Sequence, residues 1–133
     1  MVSVSSYDYL EHELTLAEPA DPRQITYLRR DHGPQVPEEY LSFLMEHDGA
    51  VGAVGLLAPA AEVGWGQELH PALDHLHGLV IFGSNGAGEA FGFDSSAHVV
   101  VIPWIGDRED AIPQGTFMEF LDRLIEGRLF ERS

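Results

Sequence analysis

Residues 79–102 read LVIFGSNGAGEAFGFDSSAHVVVI, and this stretch decides the fold class. Three short apolar runs, at 79–82, 90–93 and 99–102, are separated by glycine, asparagine, serine and aspartate, which favour turns. In the second run two phenylalanines alternate with alanine and glycine, which predicts a strand with one full face and one thin face. The third run is β-branched throughout and predicts a strand covered on both faces. We therefore expect a central sheet, to which residues 54–57 add a further strand.

Three segments outside this block carry helix signals. The first, 22–31, follows Asp21 as a cap and has Pro22 at its first position. The second begins at Pro37 and ends at 48–49, Asp-Gly. The third combines a Thr116/Glu119 capping box with Gly127 as its terminator. We expect the apolar stripes of the last two helices to share one core, formed by Phe117, Phe120, Leu121, Leu124, Tyr40, Phe43 and Leu44.

This arrangement predicts a single α+β domain over residues 1–133. Helices that flank a block of strands favour α+β rather than a regular alternation of strand and helix, and 133 residues suit one core. The first twenty residues stay open, because Tyr7, Leu10 and Leu14 suit a helix, while Leu14 and Leu16 suit a strand.

The composition narrows the classes of partner. The chain has 22 Asp and Glu against 7 Lys and Arg, a formal net charge of −15, and no lysine or cysteine. Nucleic acid is then a poor partner, because phosphate binding relies on clustered cations. The absence of cysteine excludes disulfides and thiolate ligands and favours a cytoplasmic protein. No apolar run approaches the roughly 18 residues of a membrane span, so we expect no membrane partner.

Three patterns in the sequence are candidate sites of chemistry. The glycine-rich stretch 83–89 lacks the lysine of a P-loop and precedes a strand, so we interpret it as a hairpin turn. His70, His75 and His77 surround Asp74, but their spacing differs from helical metal sites, and solvated or backbone-bonded histidines are the favoured reading. No GxSxG string is present. We therefore predict no catalytic residue, no metal and no cofactor, with a small hydrolase as a remaining alternative.

A protein-binding surface is the function that the remaining features indicate. Two tryptophans lie in or beside glycine-containing segments, where large aromatics often anchor interfaces. An acidic run follows the second one and is either an ordinary solvated turn or a rim of charge that attracts a basic protein. The candidate partner-binding residues are Trp65, Glu89, Asp94, Trp104, Asp107, Glu109 and Asp110.

Several strings in the same order resemble the SUKH superfamily, the Smi/Knr-like proteins. VPEEYLSFL at 36–44 is similar to the family's proline-led helix and closes with HDG at 47–49. GSNGAGEAFGFD at 83–94 resembles its glycine-rich hairpin, and GTFMEFLDRL at 115–124 resembles its closing helix. Asp48 stands where the family tends to have asparagine, Thr116 where it has serine, and 62–77 matches no part of the pattern.

The resemblance implies a mixed, largely antiparallel sheet with helices packed against it. It also implies a non-enzymatic module that binds another protein. Bacterial members commonly neutralise a polymorphic toxin, often a nuclease, and an acidic inhibitor suits a basic toxin domain. The expectation is thus an immunity protein that acts by occlusion, with a regulatory or scaffold protein of the Smi/Knr type as the alternative.

Overall fold

A computed structural model describes residues 7–64 and 74–130. Within these ranges the protein is an α+β domain with a seven-stranded sheet whose strand order follows the chain, and every strand pair is antiparallel. The strands are β1 Leu14–Leu16, β2 Ala50–Gly52, β3 Gly55–Leu57, β4 Val80–Ser84, β5 Glu89–Phe93, β6 Val99–Pro103 and β7 Ile112–Gly115. The helices are α1 Pro22–His32, α2 Glu38–Glu46 and α3 Phe117–Glu126. Short 3₁₀ helices occupy Asp8–His12, Gly33–Gln35, Ala60–Glu62, Asp74–Leu76 and Arg108–Asp110.

The helix boundaries follow the local sequence signals. Asp21 caps α1 by accepting a hydrogen bond from the backbone N of Arg23 at 2.9 Å. Thr116 and Glu119 form the expected reciprocal capping box at the start of α3. Gly127 ends α3 in the left-handed conformation at φ 71°, which glycine adopts without a steric penalty. These three predictions are confirmed, and α2 begins one residue after Pro37.

The sheet has two unlike faces, which we name the helix-side face and the outer face. On the helix-side face, the rings of Phe82 and Phe93 stack with centroids 4.2 Å apart, and Phe91 meets Phe120 of α3 edge-on at 4.9 Å. Tyr40 of α2 lies 5.1 Å from Phe93. The predicted shared core is confirmed, since all seven of its residues are at least 99% buried.

The outer face carries smaller side chains in a separate cluster. Ile81, Ala90 and Ile102 are fully buried there, and Leu76 and Leu79 are buried with them. The prediction that the strand at 99–102 is covered on both faces is therefore confirmed. The thin second face that we predicted for the strand at 90–93 is also confirmed, because the segment with Leu76 and Leu79 packs closely over Ala90 and Gly92.

Two strands were not predicted, β2 and β7, and β1 was one of the two alternatives left open for the first twenty residues. The apolar pattern of β2 is too short to stand out, because β2 has only Ala50 and Val51 between Gly49 and Gly52. In addition, β7 contains Pro113 and Gly115, which usually argue against a strand, but β7 lies at the edge of the sheet, where proline is tolerated. The ambiguous first twenty residues contain both candidates in turn, a 3₁₀ helix at Asp8–His12 followed by β1.

The described helices are also short. None combines the length and the apolar character that crossing a membrane requires.

Candidate protein-binding surface

One end of the sheet collects several loops that are distant in sequence. Antiparallel pairing sets Gly52 opposite Gly55, Leu56 opposite Ser84, and Glu89 opposite Pro103. The turns at 53–54 and 85–88 and the loop at 104–111 therefore project from the same end, which we name the loop end. A hydrogen bond from the Trp104 N to the Gly88 O, 2.9 Å, ties the last two together.

The loop at 104–111 is held in a defined shape. Asp107 and Asp110 form a capping box around its 3₁₀ turn, in which the Asp110 Oδ2 accepts from the Asp107 N at 3.0 Å. Arg108 Nη1 donates to the backbone oxygens of His75 and His77, at 2.8 and 2.9 Å. His75 Nε2 also donates to the Pro103 O at 2.8 Å. These bonds fasten the loop to the segment that covers the outer face.

Ile105 lies at the exposed part of this loop. Its side chain is 90% exposed, against 56% or less for every other exposed large apolar side chain of the described residues. A single exposed apolar residue is common on protein surfaces. Here, however, Ile105 stands on a fixed loop beside three exposed acidic residues, 107, 109 and 110. Ile105 is not among the residues predicted from the sequence, because no sequence pattern distinguishes its exposure from that of its neighbour Trp104.

Trp104 has a different position from its neighbour. It is half-buried and packs against the outer-face cluster with Ala111. Trp104 therefore helps to hold the loop on the sheet. Trp65, the other predicted aromatic anchor, lies outside the described residues.

The predicted acidic residues divide between the two ends of the sheet. Glu89 lies at the loop end, where its Oε1 accepts from Asn85 Nδ2 at 2.7 Å. Asp94 lies at the opposite end, in the β5–β6 turn, and its Oδ1 accepts from the Ser96 N and the His98 N at 2.9 and 3.0 Å. Glu89 thus lies at the same end of the sheet as Asp107, Glu109 and Asp110, but Asp94 does not.

Two of the three acidic residues in the loop hold its backbone in shape, and the third does not. Asp107 and Asp110 are committed to the capping box, whereas Glu109 takes no part in it. All three are exposed and contribute negative potential at the loop end. Glu109 is therefore the position at which charge can be changed without breaking the bonds that fix the loop.

The histidine pattern has no metal-binding geometry in the part of the chain that the structure describes. No three His, Asp or Glu side chains gather there as ligands. His75 bonds to the backbone of β6, as the favoured reading expected. His70 lies outside the described residues. The glycine-rich stretch forms the β4–β5 hairpin turn, with Gly86 and Gly88 at positive φ, and this prediction is confirmed.

Shifts in pKa occur mainly at structural positions. Burial raises the pKa of Tyr40 well above its usual range and that of Tyr9 to about 12. Hydrogen bonds from Arg23 hold the pKa of Asp21 below its usual value, and those from Thr116 do the same for Glu119. These groups belong to the core and to helix caps rather than to the loop end.

The sequence matches no protein-family model, and no curated protein is significantly similar to it. The SUKH resemblance therefore stays a prediction from the sequence.

Proposed function

We propose that this protein is a binding module that docks a basic protein at its loop end, as an immunity protein that neutralises a toxin domain by occlusion. The observation that carries the proposal is the 90% exposure of Ile105 on a loop held by Arg108 and rimmed with acidic residues. The partner is a toxin domain with a basic surface, a nuclease being the kind that fits best. The SUKH resemblance supplies the biological setting of this proposal.

The physical support comes from two properties of the loop. Its backbone is fixed before any partner arrives, so docking does not have to order it, which favours affinity. Its negative charge accords with the formal net charge of −15 and would speed the encounter with a positively charged surface. An apolar side chain inside a charged rim is the common arrangement of a contact hot spot. Occlusion needs no turnover and no catalytic group.

The first test concerns the anchor. Ile105→Ser should raise the dissociation rate from the toxin domain encoded beside this chain's gene roughly 10- to 100-fold, with little change in association. Met45→Ser is the matched control, because Met45 is also an exposed apolar side chain, 51% exposed, but lies in α2, which leads into β2 at the end opposite the loop end. Surface plasmon resonance measures both rates.

The second test concerns the charge. Glu109→Lys should lower the association rate several-fold at low salt, and the difference should shrink as salt screens the surface. Replacing Asp107, Glu109 and Asp110 together by lysine should lower it by roughly one to two orders of magnitude, but this triple variant also breaks the capping box. Glu18→Lys is the matched control, because it makes the same charge change at an exposed position that follows β1 at the end of the sheet opposite the loop end.

Co-expression decides between the proposal and its alternative. Cells that produce the toxin should survive when this protein is present, and a complex should elute on gel filtration. If the cells die equally fast and no complex forms, the immunity role is wrong and the regulatory or scaffold role replaces it.

A further inference from the structure

A hollow at the loop end lies on the side of the 85–88 turn that faces away from the loop at 104–111. Its volume is about 250 Å³, and its apolar walls come from Val54, Leu124, Leu129 and Phe130, with Asn85 as the polar wall. Leu124 and Leu129 are buried at its base, whereas Phe130 is 56% exposed at its rim. We name it the Phe130 hollow. Its volume lies below the roughly 300–1,000 Å³ of typical small-molecule sites, so it suits a single side chain.

Hydrogen bonds hold the walls of the hollow in place. Gln114 Nε2 donates to the Leu129 O at 2.7 Å and fixes the chain that follows α3. On the other wall, the Asn85 Oδ1 accepts from the Ala87 N at 2.9 Å, and the Asn85 N donates to the Glu89 O at 3.1 Å. The hollow therefore exists before binding, which lowers the entropic cost of filling it.

The charge next to the hollow is negative. Asn85 Nδ2 donates to the Glu89 Oε1 at 2.7 Å, so a carboxylate lies directly behind the polar wall. Residues two apart on a strand share a face, and Glu89 therefore points to the helix-side face with Phe91, the face from which α3 forms the hollow. None of the ion pairs in the described ranges includes Glu89. A cation brought by a partner would complement it.

We infer that the Phe130 hollow is a second contact of the same surface and that it accepts an apolar side chain flanked by lysine or arginine on the partner. This inference rests on the proposed function and adds to it the chemistry of the partner. Three strand spacings, about 14 Å, separate the turn at 53–54 from the end of β6 near Ile105. One interface of ordinary size, about 800 Å² per partner, covers both positions. The partner thus receives Ile105 and inserts its own apolar side chain into the hollow.

A short peptide isolates this contact from the rest of the interface. The probe is acetyl-Lys-Leu-Lys-amide, titrated to about 10 mM into the whole protein with labelled methyl groups, because a single side-chain contact binds in roughly the millimolar range. The methyl resonances of Val54, Leu124 and Leu129 should shift in a saturable way. Acetyl-Glu-Leu-Glu-amide should bind at least about threefold more weakly, because Glu89 repels it.

Two variants test the hollow and its charge. Ala53→Trp places a large ring at an exposed lining position and should weaken binding of the basic peptide about tenfold or more. Ala87→Trp is its matched control, an exposed alanine in the neighbouring turn that does not line the hollow. Glu89→Gln keeps an acceptor for Asn85 but removes the charge, so it should weaken the basic peptide about threefold and leave acetyl-Leu-amide unchanged.

The outcomes separate this inference from the proposed function. If the three methyl groups do not shift, or if Ala53→Trp and Ala87→Trp weaken the peptide equally, the hollow is not a contact site. That result would leave the Ile105 tests to decide the proposed function alone. Conversely, if the peptide binds as expected but Ile105→Ser leaves toxin binding unchanged, the hollow stands and the docking role of the loop is wrong.

Discussion

The two faces of the sheet are built from different side chains and have different neighbours. The helix-side face packs aromatic rings against two helices, with Phe82, Phe91 and Phe93 meeting Tyr40 and Phe120. The outer face is lined by aliphatic and small residues and, within the described residues, is covered by the segment 74–79, which contains one 3₁₀ turn. Large rings bury more apolar area than alanine and glycine do. The helix-side face should therefore provide most of the stability, while the outer face positions the loop end.

This difference also explains where a binding surface can form. The segment that covers the outer face is joined to the loop at 104–111 through Arg108 and His75. Variation in that loop leaves the aromatic core untouched. A surface that must suit one particular partner can then change without unfolding the domain.

The largest expected effect comes from the helix-side face. Phe120→Ala should lower the free energy of unfolding by about 3–5 kcal/mol, because Phe120 is fully buried and contacts the rings of Phe82 and Phe91. Urea denaturation measures the change, with the partly buried Met118 of the same helix as the control in Met118→Ala. A loss below about 1 kcal/mol would contradict the packing of α3 on the sheet.

A matched pair on one strand compares the faces directly. Val101 is 1% exposed on the helix-side face and Val100 is 8% exposed on the outer face, one residue apart in β6. Val101→Ala should cost about 2–3 kcal/mol and Val100→Ala about 1–2 kcal/mol, because the outer layer can close more easily over the lost methyl groups. Equal losses in denaturation would show that both faces pack equally tightly.

Breaking the hydrogen bonds by which Arg108 joins the loop to the outer-face segment should have a smaller effect on stability. Arg108→Ala removes two hydrogen bonds at an exposed position and should cost about 1 kcal/mol of stability. It should also speed hydrogen exchange at the backbone amides of Asp110 and Ala111, which bond within the loop. Arg23→Ala, which removes an exposed ion pair with Asp21 on α1, should leave exchange in the loop unchanged. Unchanged exchange in the Arg108 variant would show that the arginine does not hold the loop.

The last comparison adds nucleotides, and we expect them to have no effect on thermal stability. ATP, GTP or NAD in large excess should not change the melting temperature, because the stretch 83–89 is a hairpin turn followed by β5 and lacks lysine. A ligand that binds only the folded protein must stabilise it. A reproducible rise with any of the three, measured by scanning fluorimetry, would bring back the hydrolase alternative.

The sequence predicted those parts of the fold that depend on residues close to one another in the chain. Asp21, Thr116 and Gly127 mark helix ends because capping depends on residues within one helical turn. The alternation in 90–93 identified both faces of β5, since side-chain direction in a strand is fixed by a period of two. The strand β2 was missed and β1 was left open because their few apolar residues give no clear period, and their pairing with each other supplies the order instead.

The candidate surface shows the same division between local and long-range causes. The sequence alone determined an acidic chain without lysine, its helix caps, its central strands and an aromatic beside an acidic run. Only the tertiary structure decided that Glu89 joins this run while Asp94 lies at the other end, and that Trp104 packs while Ile105 is exposed. The reason is that the register of antiparallel strands and the cover over the outer face depend on contacts between residues far apart in the chain. No pattern within a few residues encodes such contacts.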